Sequence, residues 1–154
     1  MSDQLLGILL GGILTVIGGF AGTAYLRWRD VTREKERTHS ELVAAERIVI
    51  HELSQNWSFL KNMIGGEIPP TDLTESSYRS VELVIARHLP KDVRSVVSRT
   101  YSFVAPANSI IGKIRATSAK TPEDMGKLSF LCQRTFEANQ AMKRHLIETL
   151  KDEV

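Results

Sequence analysis

The chain has 154 residues, a net charge of +2 at neutral pH, 42% hydrophobic residues and 25% charged residues. These values are ordinary for a globular chain, and the small net charge, with no known nucleic-acid-binding motif, argues against nucleic acid as a partner. The single cysteine, Cys132, excludes an intramolecular disulfide bond and a metal site built from several thiolates.

The N-terminal segment is the most apolar part of the chain. No charged residue occurs from Gln4 to Leu26. As a helix that rises about 1.5 Å per residue, residues 5–26 would extend roughly 33 Å, enough to cross a hydrocarbon core of about 30 Å. The sequence therefore predicts a transmembrane anchor over residues 1–26, with the lipid bilayer as a partner.

A cleaved signal peptide is the alternative interpretation of this segment, because Gly22, Thr23 and Ala24 are small residues of the kind that a signal peptidase needs. The flanks argue against it, since the first four residues carry only an acid, Asp3, and the apolar run exceeds the usual 7–15 residues or so. Basic residues follow the segment at Arg27, Arg29, Arg33, Lys35 and Arg37. They predict a single-pass protein of the inner membrane, with its N-terminus outside and its C-terminal part in the cytosol.

Small residues recur every four positions in this segment. The first series is Gly7, Gly11, Thr15, Gly19 and Thr23, and Gly18 with Gly22 forms a second pair. Because small residues let two membrane helices approach closely, the spacing predicts a homo-oligomer through the span. The alternative is that glycine is simply common in membrane helices.

Residues 27–41 are predicted to form a charged juxtamembrane stalk. Bases and acids alternate there, and Trp28 and Val31 are almost the only apolar residues. Opposite charges at helical spacing favour a continuous helix that follows the apolar segment. Trp28, with Tyr25 just before it, lies where an aromatic anchor would meet lipid headgroups.

Residues 42–154 are predicted to be an all-α domain, a cytosolic antiparallel bundle of about four helices. Apolar residues at three- and four-residue spacing predict a first helix that ends near Ile64, before two glycines. A second helix, over about residues 75–88, ends before Pro90. The third begins at Pro90 and is kinked by Pro106, and the last runs from Thr121 to about Leu150. No alternating run predicts a sheet.

No catalytic or metal-binding motif is complete. His51-Glu52-Leu53-Ser54-Gln55 begins like a zinc-binding H-E-x-x-H motif but has Gln55 in place of the second ligand. A Glu-x-x-His motif occurs only once, in the stalk at Glu36 and His39, whereas a di-iron bundle needs two on its core faces. Cys132 lies among apolar positions, where free cysteine is normally a small hydrophobe. We therefore expect no enzyme activity, no cofactor and no metal.

Two polar features rise above this background. Asn56 lies on the apolar row between Leu53 and Leu60, where a buried amide would fix helix register; the alternative is a boundary position beside Trp57. The other feature is a predicted basic patch between Arg87 and Lys120, a stretch that has seven bases and only one acid, Asp92. Its residues are Arg87, Lys91, Arg94, Arg99, Lys113 and Arg115, followed by Lys120. The patch predicts contact with anionic lipid or an acidic partner, or else a merely solvated face.

Several features occur together in this chain: the uncharged N-terminal segment, the bases after it, the pattern Glu52-Leu53-x-x-Asn56-x-x-x-Leu60, and Leu89-Pro90 before a helix that carries Tyr101. With them the chain resembles many small single-pass membrane proteins of bacteria and phages. The resemblance implies this architecture and a prokaryotic setting, and it implies no activity or site residue.

The sequence leaves three classes of function open. The first is a non-enzymatic, membrane-tethered adaptor or regulator whose bundle binds a protein partner. The second is a membrane effector, pore-forming, toxin-like or phage-excluding, that assembles through its glycine-striped span. The third is an enzyme, which would need a site built from scattered histidines, acids and Cys132.

Overall fold

The computed structural model describes the backbone of residues 2–68 and 70–151, and the side chains of residues 19, 20, 22–68 and 70–151. This part of the chain is all-α, as the sequence predicts, and it contains no strand. The helices are α1 (Ser2–Ile64), α2 (Ser76–His88), α3 (Lys91–Ser102), α4 (Val104–Thr117) and α5 (Pro122–Lys151).

The chain divides into two compact units, over residues 1–40 and 41–154. The first unit is the N-terminal part of α1, and its described side chains are mostly exposed. The second unit is a helical bundle, made by the C-terminal part of α1 and helices α2 to α5. The predicted three-part division into anchor, stalk and bundle stays a prediction.

The predicted membrane localisation is not supported. In the described part of the chain, no helix is both long enough and apolar enough to cross a membrane. This finding contradicts the prediction of a single-pass inner-membrane protein with its N-terminus outside and a cytosolic bundle.

The small-residue series falls mostly outside the described side chains. This applies to Gly7, Gly11, Thr15 and Gly18, so their predicted role in helix packing stays a prediction. Gly19 and Gly22 are described and exposed, and a Cβ atom added at either would meet nothing within 4 Å.

The helices of the second unit share one apolar core. Leu53 and Leu60 of α1 are buried together with Ile85 of α2, Val97 of α3 and Leu128 of α5. Helices α1 and α5 are antiparallel, since the contacts that join them run in opposite order along the two helices. Those contacts are Glu46 with His145, Ser54 with Asn139, and Trp57 with Phe136.

The break between α3 and α4 is the main departure from the predicted helices. The sequence predicts one helix kinked by Pro106, but the chain leaves helical hydrogen bonding at Phe103, where the Phe103 amide bonds the Thr100 carbonyl at 3.2 Å. Pro106 lies in the first turn of α4, where proline is tolerated because amides there have no partner within the helix. The proline therefore separates two helices instead of bending one.

Candidate functional site

The loop between α1 and α2 is held by two asparagine side chains. The Asn56 amide donates to the Thr74 carbonyl at 2.7 Å and accepts from the Thr74 amide at 3.0 Å. Asn108, on α4, makes the same pair of bonds to Leu73, at 3.0 and 2.8 Å. Each side chain thus satisfies both backbone groups of one residue, as a neighbouring strand would. Together they fix an otherwise irregular segment between two helices.

Asn56 is buried, at 5% exposure, so the alternative boundary position does not apply. Its hydrogen-bond partner is Thr74 in the loop before α2, and its predicted role in fixing helix register stays a prediction. The sequence analysis missed Asn108, although it lies between the apolar Val104 and Ile111 in the same way that Asn56 lies between leucines. An asparagine on an apolar row was the signal in both cases.

A buried carboxylate caps α2 from a different helix. Glu52, on α1, is 1% exposed, and it accepts hydrogen bonds from the amides of Ser77 at 3.0 Å and Tyr78 at 2.8 Å. These amides belong to the first turn of α2, which has no side-chain cap of its own and no acid in that turn. A negative charge at a helix N-terminus is favourable. Glu52 therefore replaces a local cap and fixes α2 against α1.

Two tyrosines complete the surroundings of this carboxylate. The Tyr101 hydroxyl donates to Glu52 at 3.0 Å, and its ring stacks on Tyr78 with centroids 4.1 Å apart. Burial and the neighbouring Glu52 charge raise the pKa of Tyr101 well above its ordinary value. Burial is also the main cause that raises the pKa of Tyr78. Both phenols are therefore neutral and structural.

Several bases of the predicted patch are used inside the bundle. Arg94 donates to the Ala86 carbonyl near the end of α2. Lys113 pairs with Asp124 at 2.8 Å, and Arg115 bonds Asp72 and the Thr71 carbonyl. Lys120 similarly donates to the Gly66 carbonyl at 3.0 Å. Arg87, Lys91 and Arg99 are exposed. The structure thus places the patch residues in separate roles, and a partner for the exposed three stays a prediction.

An apolar groove lies between α4 and the N-terminal half of α5. Its volume is about 760 Å³, and its floor includes Ala107, Gly126 and Leu128. Phe103 and Phe130 form one wall, with their rings edge to face at a centroid distance of 5.8 Å. They are 37% and 48% exposed, although aromatic side chains normally contribute their large area to a core.

The groove has an open space above Gly126 and a polar rim. A Cβ atom added at Gly126 would meet nothing within 4 Å, so the space above it is open. Glu123 and Lys127 lie on the rim and pair at 2.5 Å. The Arg134 guanidinium lies 5.1 Å from the centre of the Phe130 ring. An apolar trough with charges at its edge is the usual form of a binding site.

A second cavity, of about 330 Å³, lies between α3 and α5. His145 lines it and bonds the fully buried carboxylate of Glu46, so the imidazole is held in one orientation. The other charged groups at this cavity are Asp92, Arg144 and Glu148. The hydroxyl next to the imidazole is that of Thr149, whose Oγ1 lies 3.3 Å from His145 Nδ1 and donates to the His145 carbonyl at 2.9 Å.

The other chemical candidates from the sequence, His51 and Cys132, do not line the groove. His51 and Gln55 contact each other at 3.0 Å on an exposed surface. In the described part of the chain, no group of three or more His, Cys, Asp or Glu residues is placed to hold a metal ion. Burial raises the pKa of the Cys132 thiol, which disfavours the reactive thiolate.

Comparisons with protein-family models, with curated proteins and with solved structures found no match for this chain. The function therefore has to be argued from the arrangement of its own residues.

Proposed function

We propose that this protein is a non-enzymatic adaptor or regulator whose helical bundle binds a protein partner in the groove between α4 and α5. The observation that supports it is the open apolar trough beside two half-exposed phenylalanines, Phe103 and Phe130. An apolar surface of this kind is costly in water, and it is typical of an interaction site. The proposal needs no catalytic group.

The shape of the groove fits one amphipathic helix of a partner. It runs between two helices, and its apolar floor is bounded by a charged pair, Glu123 with Lys127. A partner helix would place apolar residues at three- and four-residue spacing into the trough and polar residues on the rim. The membrane-effector alternative depends instead on the glycine-striped segment, whose side chains are mostly outside the described residues.

The proposal is tested by placing a photo-crosslinking amino acid at Ser109, an exposed residue that lines the groove. The control position is Ser80, which is exposed on α2 and does not line it. We expect irradiated cells of the source organism to give one discrete product from Ser109 and none from Ser80. The captured protein is then purified, and its affinity is measured by titration.

Binding by the purified partner must depend on the groove. We expect Phe130→Glu to abolish it, because a charge would enter the apolar trough. Leu83→Glu should leave it unchanged, since Leu83 is an apolar residue of α2, 84% exposed, that does not line the groove. Equal losses in the two variants, or no discrete product from Ser109, would refute the proposal.

A further inference from the structure

A second exposed apolar surface belongs to the N-terminal part of α1, in the first unit. Phe20 is 75% exposed, Trp28 65% and Val31 54%. Large apolar side chains are costly to leave in water, and aromatic rings have the most area to bury. So many of them exposed within so short a helical stretch mark an interaction site.

These residues follow the heptad pattern of a coiled coil, with positions named a to g. Ala24 and Val31 occupy position a, and Phe20 occupies position d. Trp28 lies beside this seam, at position e. The sequence before Phe20 has an apolar residue at each a and d position, namely Leu6, Leu10, Ile13 and Ile17. The row covers residues 6–31, almost four heptads, which is a length typical of a coiled coil.

The apolar row has one charged position and a clear end. Arg27 occupies a d position, where its apolar stem can line the seam while the guanidinium stays in water. After Val31, the next d position is Glu34 and the next a position is Thr38, so the row stops there. The surface therefore calls for a partner helix with an apolar row of similar length.

A second copy of the chain meets this requirement, because it carries the same row. The flanking charges fit a parallel pair of copies. Asp30 is at position g and Lys35 at position e of the next heptad, and these two positions meet across a parallel seam. Within one helix they are five residues apart and do not face each other. The opposite charges of these two exposed residues are thus complementary between two chains.

We propose that residues 6–31 of α1 form a parallel coiled coil with the same residues of a second copy. In this pair, Phe20 of one copy packs against Phe20 of the other, and Trp28 covers the seam from its side. Asp30 of each copy pairs with Lys35 of the other. The pairing uses no residue of the groove between α4 and α5, so it can be tested separately from the proposed function.

The mass of the full chain in solution, measured by sedimentation, provides the first test. We expect the mass of two chains. Phe20→Glu should give one chain, because it places a charge in the seam. The matched control is Leu26→Glu, since Leu26 is also large and 49% exposed but lies about 120° from Phe20 around the helix. This control should keep the mass of two chains.

The predicted charge pair is tested by exchanging its signs. Asp30→Lys alone and Lys35→Asp alone should each raise the dissociation constant of the pair roughly three- to tenfold, because like charges would then meet across the seam. The double variant should return to the wild-type value, since the ion pair forms again with its signs exchanged.

The parallel orientation is tested by disulfide formation in a Cys132→Ser background. Ala24→Cys brings two thiols together across a parallel seam, so a mild oxidant should produce a disulfide-linked dimer. Gly22→Cys is the control, because Gly22 is at position f on the outer side, and the space in its Cβ direction is open. It should give no linked dimer.

Four results would overturn the proposal. A wild-type mass other than two chains would show that the row does not pair in this way. Equal loss of mass in Phe20→Glu and Leu26→Glu would show that the loss does not depend on the seam. A two-chain mass without a linked dimer from Ala24→Cys would exclude the parallel orientation. A double charge variant as weak as the single ones would remove the Asp30–Lys35 pair.

Discussion

Glu52 of α1 and Tyr101 of α3 meet inside the bundle, where the tyrosine hydroxyl donates a 3.0 Å hydrogen bond to the carboxylate. The same carboxylate accepts two amides from the first turn of α2. One buried carboxylate therefore joins three helices, and removing it takes this acceptor away from the Tyr101 hydroxyl and from the amides of Ser77 and Tyr78.

The first prediction concerns this carboxylate. Glu52→Gln should lower the free energy of unfolding by about 1–3 kcal/mol, because an amide NH₂ group would face backbone donors that the carboxylate now accepts. Chemical denaturation measures this loss. Glu82→Gln, an exposed change on α2, should stay within about 0.5 kcal/mol of the wild type. Equal stability of the two variants would contradict the capping role.

The second prediction concerns alkaline stability. The raised pKa of Tyr101 means that the folded protein favours the neutral phenol. Its contribution is fully present below the ordinary tyrosine pKa of about 10, and it is lost as the pH rises above that value.

The free energy of unfolding should therefore fall more between pH 8 and pH 11 in the wild type than in Tyr101→Phe. Denaturant titrations at each pH provide the measurement. The control is Tyr25→Phe, at an exposed tyrosine, and it should follow the wild type. Parallel pH profiles for wild type and Tyr101→Phe would be the opposing result.

The third prediction distinguishes the contribution of Asn56 from that of Asn108. Asn56→Ala should speed hydrogen exchange at the Thr74 amide, and Asn108→Ala should speed it at Leu73, since each change removes the acceptor of one amide. Each should also cost about 1–3 kcal/mol of stability. Asn62→Ala, an exposed change on α1, is the control. Unchanged exchange at both amides would show that the loop is held by other contacts.

The fourth prediction concerns the start of α5. Hydrogen bonds from Lys113 and Thr121 lower the pKa of Asp124, so its contribution is present above the ordinary aspartate pKa of about 3.9. It is lost as the pH falls through the lower pKa of the folded protein. The stability difference between wild type and Asp124→Asn should therefore shrink in acid, as measured by denaturation from pH 6 to pH 2. A constant difference would argue against a stabilising role of the ionised Asp124 carboxylate.

Most helix boundaries of the second unit could be predicted from the sequence, because residues within one turn of each boundary determine them. The glycines after Ile64, the proline after Leu89 and the Thr121-Pro122 pair each act within a turn, and the observed helices end or begin there. The position of the break near Pro106 was less predictable, because Phe103 takes part in the groove wall.

Most of the candidate functional site could not be predicted from the sequence. Asn56 was found because an amide interrupts its apolar row, but its partner lies 18 residues away in a loop without any pattern. Glu52 was considered as part of an incomplete zinc motif and of the pattern that carries the resemblance, and neither indicates its partner amides, which lie 25 and 26 residues later. The groove depends on which apolar residues remain uncovered after packing, and helical periodicity alone does not show that.

The central claim is that the α4–α5 groove receives a protein partner, and Gly126 allows the most direct test. Its Cβ direction is open, so Gly126→Leu should fill the trough without disturbing the core and with improved helix propensity. Gly112→Leu is the matched control, since Gly112 is an equally open helical glycine that does not line the groove. We predict that both variants melt at or above the wild-type temperature. Only Gly126→Leu should lose binding, measured by titration, to the partner protein that crosslinks to position 109. Unchanged binding by Gly126→Leu, or equal loss in both variants, would contradict the account.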